Sequence, residues 1–272
     1  MTAWADLLNL YERDQHRRGL AAESVKTRRR ILTQLAGHCP DPWAVTPDLL
    51  GDWLDDPAKA HDTRRCYLSG VAGFYRWAIR AGLTETNPVD RVVRPKRKRR
   101  LPRPIHVDHY RQSLSQADTM MRCWLLLGAR AGLRCMEIAG LDRDDVLDHL
   151  DEPMLWIRHG KGDKERTVPL HPQVLAALLA YGMPQSGPLF PASCGGRRSP
   201  QSVSKRINKH LRRLGLHETA HQYRHLFGSD VYRESRDLRL TQELLGHSSP
   251  EVTAGYAAWT PREAIAVVGR LA

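Results

Sequence analysis

Paired cysteines are missing from this sequence. Its five cysteines, Cys39, Cys66, Cys123, Cys135 and Cys194, are odd in number, widely scattered and never spaced C-x-x-C. That argues against a disulfide framework and a structural zinc site. The thiols read as reduced, mostly buried small hydrophobes. No apolar run approaches the roughly 20 residues that cross a bilayer, so no membrane span is expected. The opening residues, M-T-A-W-A-D-L-L-N-L-Y-E-R-D, lack the basic-then-apolar layout of a secretory signal and carry acids early, which points to the cytoplasm. The carboxylates form no motif of a metal-dependent nuclease, which disfavours that class. No metal and no cofactor is expected, and no internal repeat is visible.

Positive charge is in excess. Lysine and arginine total 42 against 30 acids, a net charge of +12 and a pI near 9.8. Such an excess calls for a polyanionic partner, with nucleic acid the first candidate and an anionic membrane surface the rival. The 41% hydrophobic and 26% charged content is that of a folded protein. A length of 272 residues allows one large domain or two ordinary ones.

Composition shifts most sharply at R-V-V-R-P-K-R-K-R-R-L-P-R-P, residues 91–104, which holds three prolines and no acid. Proline removes backbone donors and fixes φ, so this stretch reads as an interdomain linker lying against phosphates. The expected organisation is a helical module over 1–93, a basic linker over 94–104 and a mixed domain over 105–272. In the first module the spacing of Trp4, Leu7, Leu8 and Tyr11 predicts a helix, and further helices are expected over 22–36, after the Thr46-Pro47 cap, and over 62–81. In the second domain, helices are expected over 107–116, 118–131, 134–141, 172–181, 200–214, 219–233, 237–245 and 250–258. M-L-W-I-R-H and E-R-T-V-P-L, joined by G-K-G-D-K, read as a β-hairpin. The fold class is therefore mainly α (α+β). Candidate phosphate contacts are Arg28, Arg29, Arg64, Arg65 and Arg76 in the helical module, Lys96, Arg97 and Lys98 in the linker, and Lys205, Arg206 and Lys209 on an all-basic helix face.

Four short segments recur in a telling order. They are A-G-L-R-C-M-E-I (131–138), G-K-G-D-K-E-R-T-V-P-L (160–170), H-Q-Y-R-H (221–225) and L-L-G-H-S-S-P-E-V-T-A-G-Y-A (244–257). Together they supply a tyrosine, two arginines, a lysine and two histidines. Attack by a side chain on a phosphodiester needs such a set: a nucleophile, cations for the non-bridging oxygens and a donor for the leaving alkoxide. Arginine matches phosphate oxygens best, because its planar fork stays charged and donates two parallel hydrogen bonds.

At these positions the chain resembles the tyrosine recombinases, also called phage-type integrases, over about residues 105–260. The helical module and linker also fit that family, as a SAM-like core-binding domain. The resemblance implies that Tyr256 attacks the scissile phosphate and forms a 3′-phosphotyrosyl link. Arg134 and Arg224 would clamp the non-bridging oxygens, and Lys161 would protonate the 5′-oxygen, with Lys164 as its rival in the turn. His221 would serve in proton transfer near the nucleophile, and His247 would hydrogen-bond the phosphate. Glu137, one turn after Arg134, would orient it, and His225 would pack behind the reacting groups. The i,i+4 pair His221 and His225 has zinc-compatible spacing but no third ligand nearby. Tyr223 and Ala131 depart from the leucine and threonine usual in the family, at positions that read as packing sites.

The resemblance further implies action on double-stranded DNA at a core-type site, as a homotetramer on synapsed DNA, with the apolar tail 260–272 docking on a neighbouring subunit. The expected setting is the nucleoid of a bacterial host cell, with an accessory directionality factor as a possible partner. The chain reads as beginning at the core-binding module, without a domain for distant arm sites. The leading expectation is an integrase. A Xer-type dimer resolvase and a type IB topoisomerase-like relaxing enzyme stay open beside it, and a DNA-binding protein that has lost catalysis is disfavoured by the complete residue set.

Overall fold

A computed structural model describes residues 4–57, 59–93, 95, 101–158, 160, 165–247 and 253–257. The chain divides into two compact units, Met1–Arg99 and Arg100–Ala272. Lys96, Arg97 and Lys98 of the linker lie outside the described residues, as do Lys161, Lys164 and the tail after residue 257.

In the first unit the apolar periodicity becomes four helices: α1 (Trp4–Arg17), α2 (Ala22–His38), α3 (Pro47–Leu54) and α4 (His61–Arg80). α3 starts as its sequence requires. Thr46 is extended, its hydroxyl accepts from the Leu49 amide at 3.2 Å, and Pro47 occupies the first turn, where no amide donor is needed. The inward stripes meet around Phe74, which is fully buried and packs its ring against Trp4, Tyr11 and Trp77 with centroids 5.2–5.6 Å apart.

The second unit is built on α6 (Thr119–Arg130), which carries Cys123, Trp124, Leu125, Leu126 and Leu127 fully buried on every side. A helix that is apolar all round must be covered all round. α8 (Pro172–Tyr181) and α10 (Ala220–Ser235) pack against it. α5 (Val107–Ser115), α7 (Cys135–Gly140), α9 (Pro200–Arg213) and α11 (Leu238–Leu245) complete the helices described here. The hairpin is present as β2 (Met154–Ile157) and β3 (Arg166–Pro169), antiparallel with Leu155 opposite Val168. A third strand, β1 (Val146–Leu147), adds to β2. It has two residues, too few to show a period, so the sequence pattern could not predict it.

Three local readings change. Arg134 is not inside the helix expected over 134–141. It is the extended N-cap of α7, with φ −81° and ψ 157°. Of the helix expected over 250–258, the described part is a tight 3-10 turn at Ala254–Ala257. Tyr223 is a packing residue as expected, but a polar one, since its hydroxyl donates to Ser113 Oγ at 2.6 Å in the core. Among the described residues no helix is long and apolar enough to cross a membrane.

Candidate active site

Glu137 organises the site. Its side chain is completely buried, which is sustained only because it is multiply paired. As the third residue of α7 it accepts from the Arg134 backbone amide at 2.8 Å, and its other oxygen takes Arg134 Nη1 at 2.8 Å. Arg166, the first residue of β3, reaches it with both terminal nitrogens at 2.9 and 3.0 Å. Arg224 on α10 stands 3.7 Å away. Burial alone would push the Glu137 carboxyl up. Hydrogen bonds and charge from Arg166, with help from Arg134 and Arg224, overcome this and hold it at about 2.

A second acceptor set faces the same three guanidiniums. α11 ends at Gly246, whose φ of +60° is the left-handed cap conformation. The final carbonyls of a helix have no partner within it and carry its negative dipole end. Here each goes to a different arginine: Leu244 O to Arg166 Nε at 3.0 Å, Leu245 O to Arg224 Nη2, and Gly246 O to Arg134 Nη2 at 3.4 Å. Arg224 Nη1 donates to the carbonyl of Gly132. Gly132, at φ +67°, lies directly under the Phe227 ring, where a Cβ would come within 2.4 Å of Cδ1. Among the described residues, three guanidiniums share the single carboxylate of Glu137, which leaves two positive charges for an anion. Burial and the neighbouring Arg134 pull Arg224 below the ordinary arginine range and Glu137 offsets this; the group stays protonated at neutral pH.

Gly246 supplies a first prediction. Alanine there would be strained by the left-handed backbone and would place a Cβ 2.9 Å from Arg166 Nη1. Gly246→Ala is expected to lower stability by about 1–2 kcal/mol in a denaturant titration and to weaken DNA cleavage with it.

Tyr256 lies in the 3-10 turn and is 8% exposed. Burial pushes its phenol up to about 12, although Arg224 and Arg134 pull the other way. Its ring rests on Gly228, where a Cβ would stand 2.7 Å from Cε1 and Cζ. Its hydroxyl meets His225 Nδ1 at 2.9 Å. His247 stacks near the phenol, with centroids 6.2 Å apart and rings 16° from parallel. The buried Thr253 hydroxyl engages His247 Nδ1 at 2.9 Å, so Nε2 is the nitrogen left for a ligand. Burial and then the charges of Arg224, Arg134 and Arg166 lower His247 to about 3, so it is neutral at physiological pH. His221 is exposed and packs edge-on against His225, with centroids 4.5 Å apart.

Arg134, Glu137, Arg224, His247 and Tyr256 are therefore brought together through shared contacts. Two placements differ from the sequence reading. His225, expected behind the reacting groups, touches the phenol. Arg166, not singled out at all, holds Glu137 with two hydrogen bonds; its only signal was its position beside the lysine turn. Among the described residues no cluster of three metal-ligating side chains exists.

The candidate phosphate contacts are scattered. Arg28 donates to Gln15 at 3.1 Å, Arg29 pairs with Glu12 and Asn9, and Arg64 bonds the Lys59 carbonyl and Asp55. Arg65 is half-buried, and Arg76 turns back to the Ala72 carbonyl. On α9, Lys205 and Lys209 are exposed, while Arg206 lies over the Trp124 ring at 5.5 Å.

The sequence model described as "Phage integrase family" matches residues 101–263. The tyrosine recombinase XerC of Azotobacter vinelandii strain DJ is 33% identical over 274 residues, spanning 93% of this chain and 90% of that protein. The tyrosine recombinase XerC of Rhodospirillum centenum is 34% identical over 275 residues, spanning 89% and 79%. The fold is shared with lambda integrase (residues 75–356) bound as a dimer to a COC' core site, at a TM-score of 0.77, 20% identity and coverage of 96% and 98%. It is shared also with XerH in a post-cleavage complex with a palindromic difH substrate, at a TM-score of 0.72, 17% identity and coverage of 93% and 81%.

Proposed function

The chain belongs to the phage integrase family of tyrosine recombinases, and from that membership we infer how its own side chains divide the work. It is a site-specific DNA recombinase that breaks and rejoins strands through a phosphotyrosyl intermediate. The observation that carries the assignment of residues is the arrangement of three guanidiniums around one buried carboxylate beside a buried tyrosine.

A phosphodiester entering this site meets two uncompensated positive charges. Arg134 and Arg224 are the donors for its non-bridging oxygens, where negative charge builds as the pentacoordinate transition state forms. Their guanidiniums are already held by Glu137 and by the α11 carbonyls, so little reorganisation is needed on binding. His247, neutral with Nδ1 committed to Thr253, offers Nε2 to the phosphate. Tyr256 attacks phosphorus, and Lys161 supplies the proton to the departing 5′-oxygen. The covalent link preserves the phosphodiester energy, so rejoining needs neither metal nor nucleotide.

The substrate is double-stranded DNA carrying a core-type site, bound by the helical module over 1–93, the basic linker 94–104 and the catalytic domain 105–272. The active assembly is a homotetramer on synapsed DNA, with the tail after Tyr256 packed on the neighbouring subunit. Complexes of lambda integrase with a core site and as a tetramer on a Holliday junction support this reading. The setting is the bacterial cytoplasm, on nucleoid DNA. Two roles use this chemistry: integration and excision of a phage or other mobile element, aided by a directionality factor, and Xer-type dimer resolution. The names of the curated relatives favour the second.

The test incubates the protein with a nicked core-site duplex in EDTA and digests the product for mass spectrometry. A covalent adduct mapped to Tyr256 is expected. A link on another residue, or a need for Mg²⁺, overturns the reading. Relaxation of supercoils without synapsis would indicate a topoisomerase instead.

A further inference from the structure

Tyr256 must lose a proton as it attacks, and its surroundings make this hard. The hydroxyl is buried, and the phenol is held well above the ordinary tyrosine range. Solvent hydroxide is scarce at neutral pH, so a group in contact with the phenolic oxygen is needed. Among the described residues, the one hydrogen-bond partner of that oxygen is His225 Nδ1, at 2.9 Å. A phenol at neutral pH keeps its proton, so in this bond the hydroxyl donates and Nδ1 accepts. That fixes the ring proton on Nε2. His221, the family-expected histidine, stands on the exposed rim one helical turn earlier and meets His225 edge-on, with centroids 4.5 Å apart.

We propose that His225, rather than His221, is the general base that takes the Tyr256 proton during strand cleavage and returns it during rejoining. The proposal rests on the recombinase reading above. As the Tyr256 Oη–P bond forms and the P–O5′ bond breaks, the Oη–H proton passes to Nδ1, and the separate acid Lys161 protonates O5′. In the reverse reaction the 5′-hydroxyl attacks phosphorus and gives its proton back to Lys161, the Oη–P bond breaks, and the His225 imidazolium returns its proton to Oη. No oxidant, metal or further reactant is needed.

The charges around the ring suit this role. His221 and Arg224 share α10 with His225, Tyr256 faces it from the C-terminal segment with His247 stacked near the phenol, and Arg103, His109, His217 and Glu218 line the adjoining cavity with it. Burial first, then His221 and Arg224, lower His225 to about 4, so it is unprotonated and ready to accept at neutral pH. The base is weak and the phenol is weakly acidic. Transfer therefore waits until the oxygen–phosphorus bond is forming, which keeps the free enzyme's tyrosine protonated. A phosphate bound to the arginines offsets the field that depresses His225 and helps it hold the proton. A cavity of about 760 Å³ is lined by His221 and His225.

The experiment measures single-turnover adduct formation on the nicked core-site duplex as a function of pH, for wild type, His225→Asn and His221→Asn. Asparagine puts an amide where Nδ1 was, keeping a hydrogen bond and removing basicity. His225→Asn is expected to cleave roughly 10²- to 10⁴-fold more slowly. Its residual rate should climb about tenfold per pH unit as hydroxide takes over, against a flat wild-type profile from about pH 6 to about pH 9. His221→Asn is expected to keep the flat profile. Cleavage by His225→Asn within about threefold of wild type, or slower with an unchanged profile, overturns the proposal. So does transfer of the rising profile to His221→Asn. Should His225→Asn form no adduct at any pH, wild type and His221→Asn decide together: flat profiles in both support the buried base, and a rising profile in either overturns it. A wild type that forms no Tyr256-linked adduct sinks the recombinase reading itself, whereas the outcomes above leave that reading standing.

Discussion

Replacing Glu137 by glutamine is expected to lower the stability of the catalytic unit by roughly 3–5 kcal/mol, the range seen when one partner of a buried ion network is removed. Shape is kept, and only charge is lost. Three guanidiniums would then face one another across a neutral amide, with the α11 carbonyls and the Gly132 carbonyl as their remaining acceptors. Strand cleavage should fall with stability, because Arg134 and Arg224 lose the anchor that sets their spacing. Sulfate should raise the Tm of the variant more than that of wild type, since an anion in the phosphate position supplies the missing charge. A Glu137→Gln protein as stable as wild type in urea would show that the carbonyls suffice. The pH dependence has a definite sign. The folded pKa, about 2, is depressed below the ordinary 4.5. The stabilisation is fully present above about pH 4.5 and lost as pH falls toward 2. Roughly 3 kcal/mol should disappear in that window in wild type and not in the variant.

Gly228→Ala is expected to slow cleavage by about a hundredfold or more, the scale of loss when a reacting group is displaced by an ångström. Gly228 lies on α10 one turn beyond Arg224, and the phenol of Tyr256 rests on it. An added Cβ would stand 2.7 Å from Cε1 and Cζ of that ring and 2.9 Å from Leu245 Cδ1. At these distances the ring or the leucine must shift. In an open helix the same change would stabilise by up to about 1 kcal/mol. Here overpacking costs about 1–3 kcal/mol, so net stability should change little while the tyrosine is pushed from its place. DNA affinity, read by gel shift, should be nearly unchanged, because Arg134 and Arg224 stay where they are. Normal cleavage by Gly228→Ala would mean that Tyr256 reacts from another position.

Much of the site was legible because its chemistry is carried by residue types in short boxes. Arg134 and Glu137 share a box, and their spacing of three places them within reach of each other on any helix. Arg166 was not legible as a member. In E-R-T-V-P-L it reads as an ordinary strand residue, and its partners Glu137 and Leu244 lie 29 and 78 positions away. His225 was seen but placed behind the reacting groups. Histidines four apart share a helix face, and no local pattern says which of them meets a tyrosine 31 positions later. The third strand, with two residues, had no period to display.

The sequence by itself determined the two-part organisation of helices, the caps and apolar stripes that start and orient them, and the set of cations, histidines and tyrosine on which the chemistry draws. These are local or compositional properties, encoded within a few turns of chain. Tertiary structure decided which carboxylate three arginines share, that the end of α11 gives one carbonyl to each, and that the Tyr256 phenol donates to His225 rather than His221. Those choices depend on distances between segments far apart in sequence, and only packing α10, α11 and the hairpin onto one core sets them.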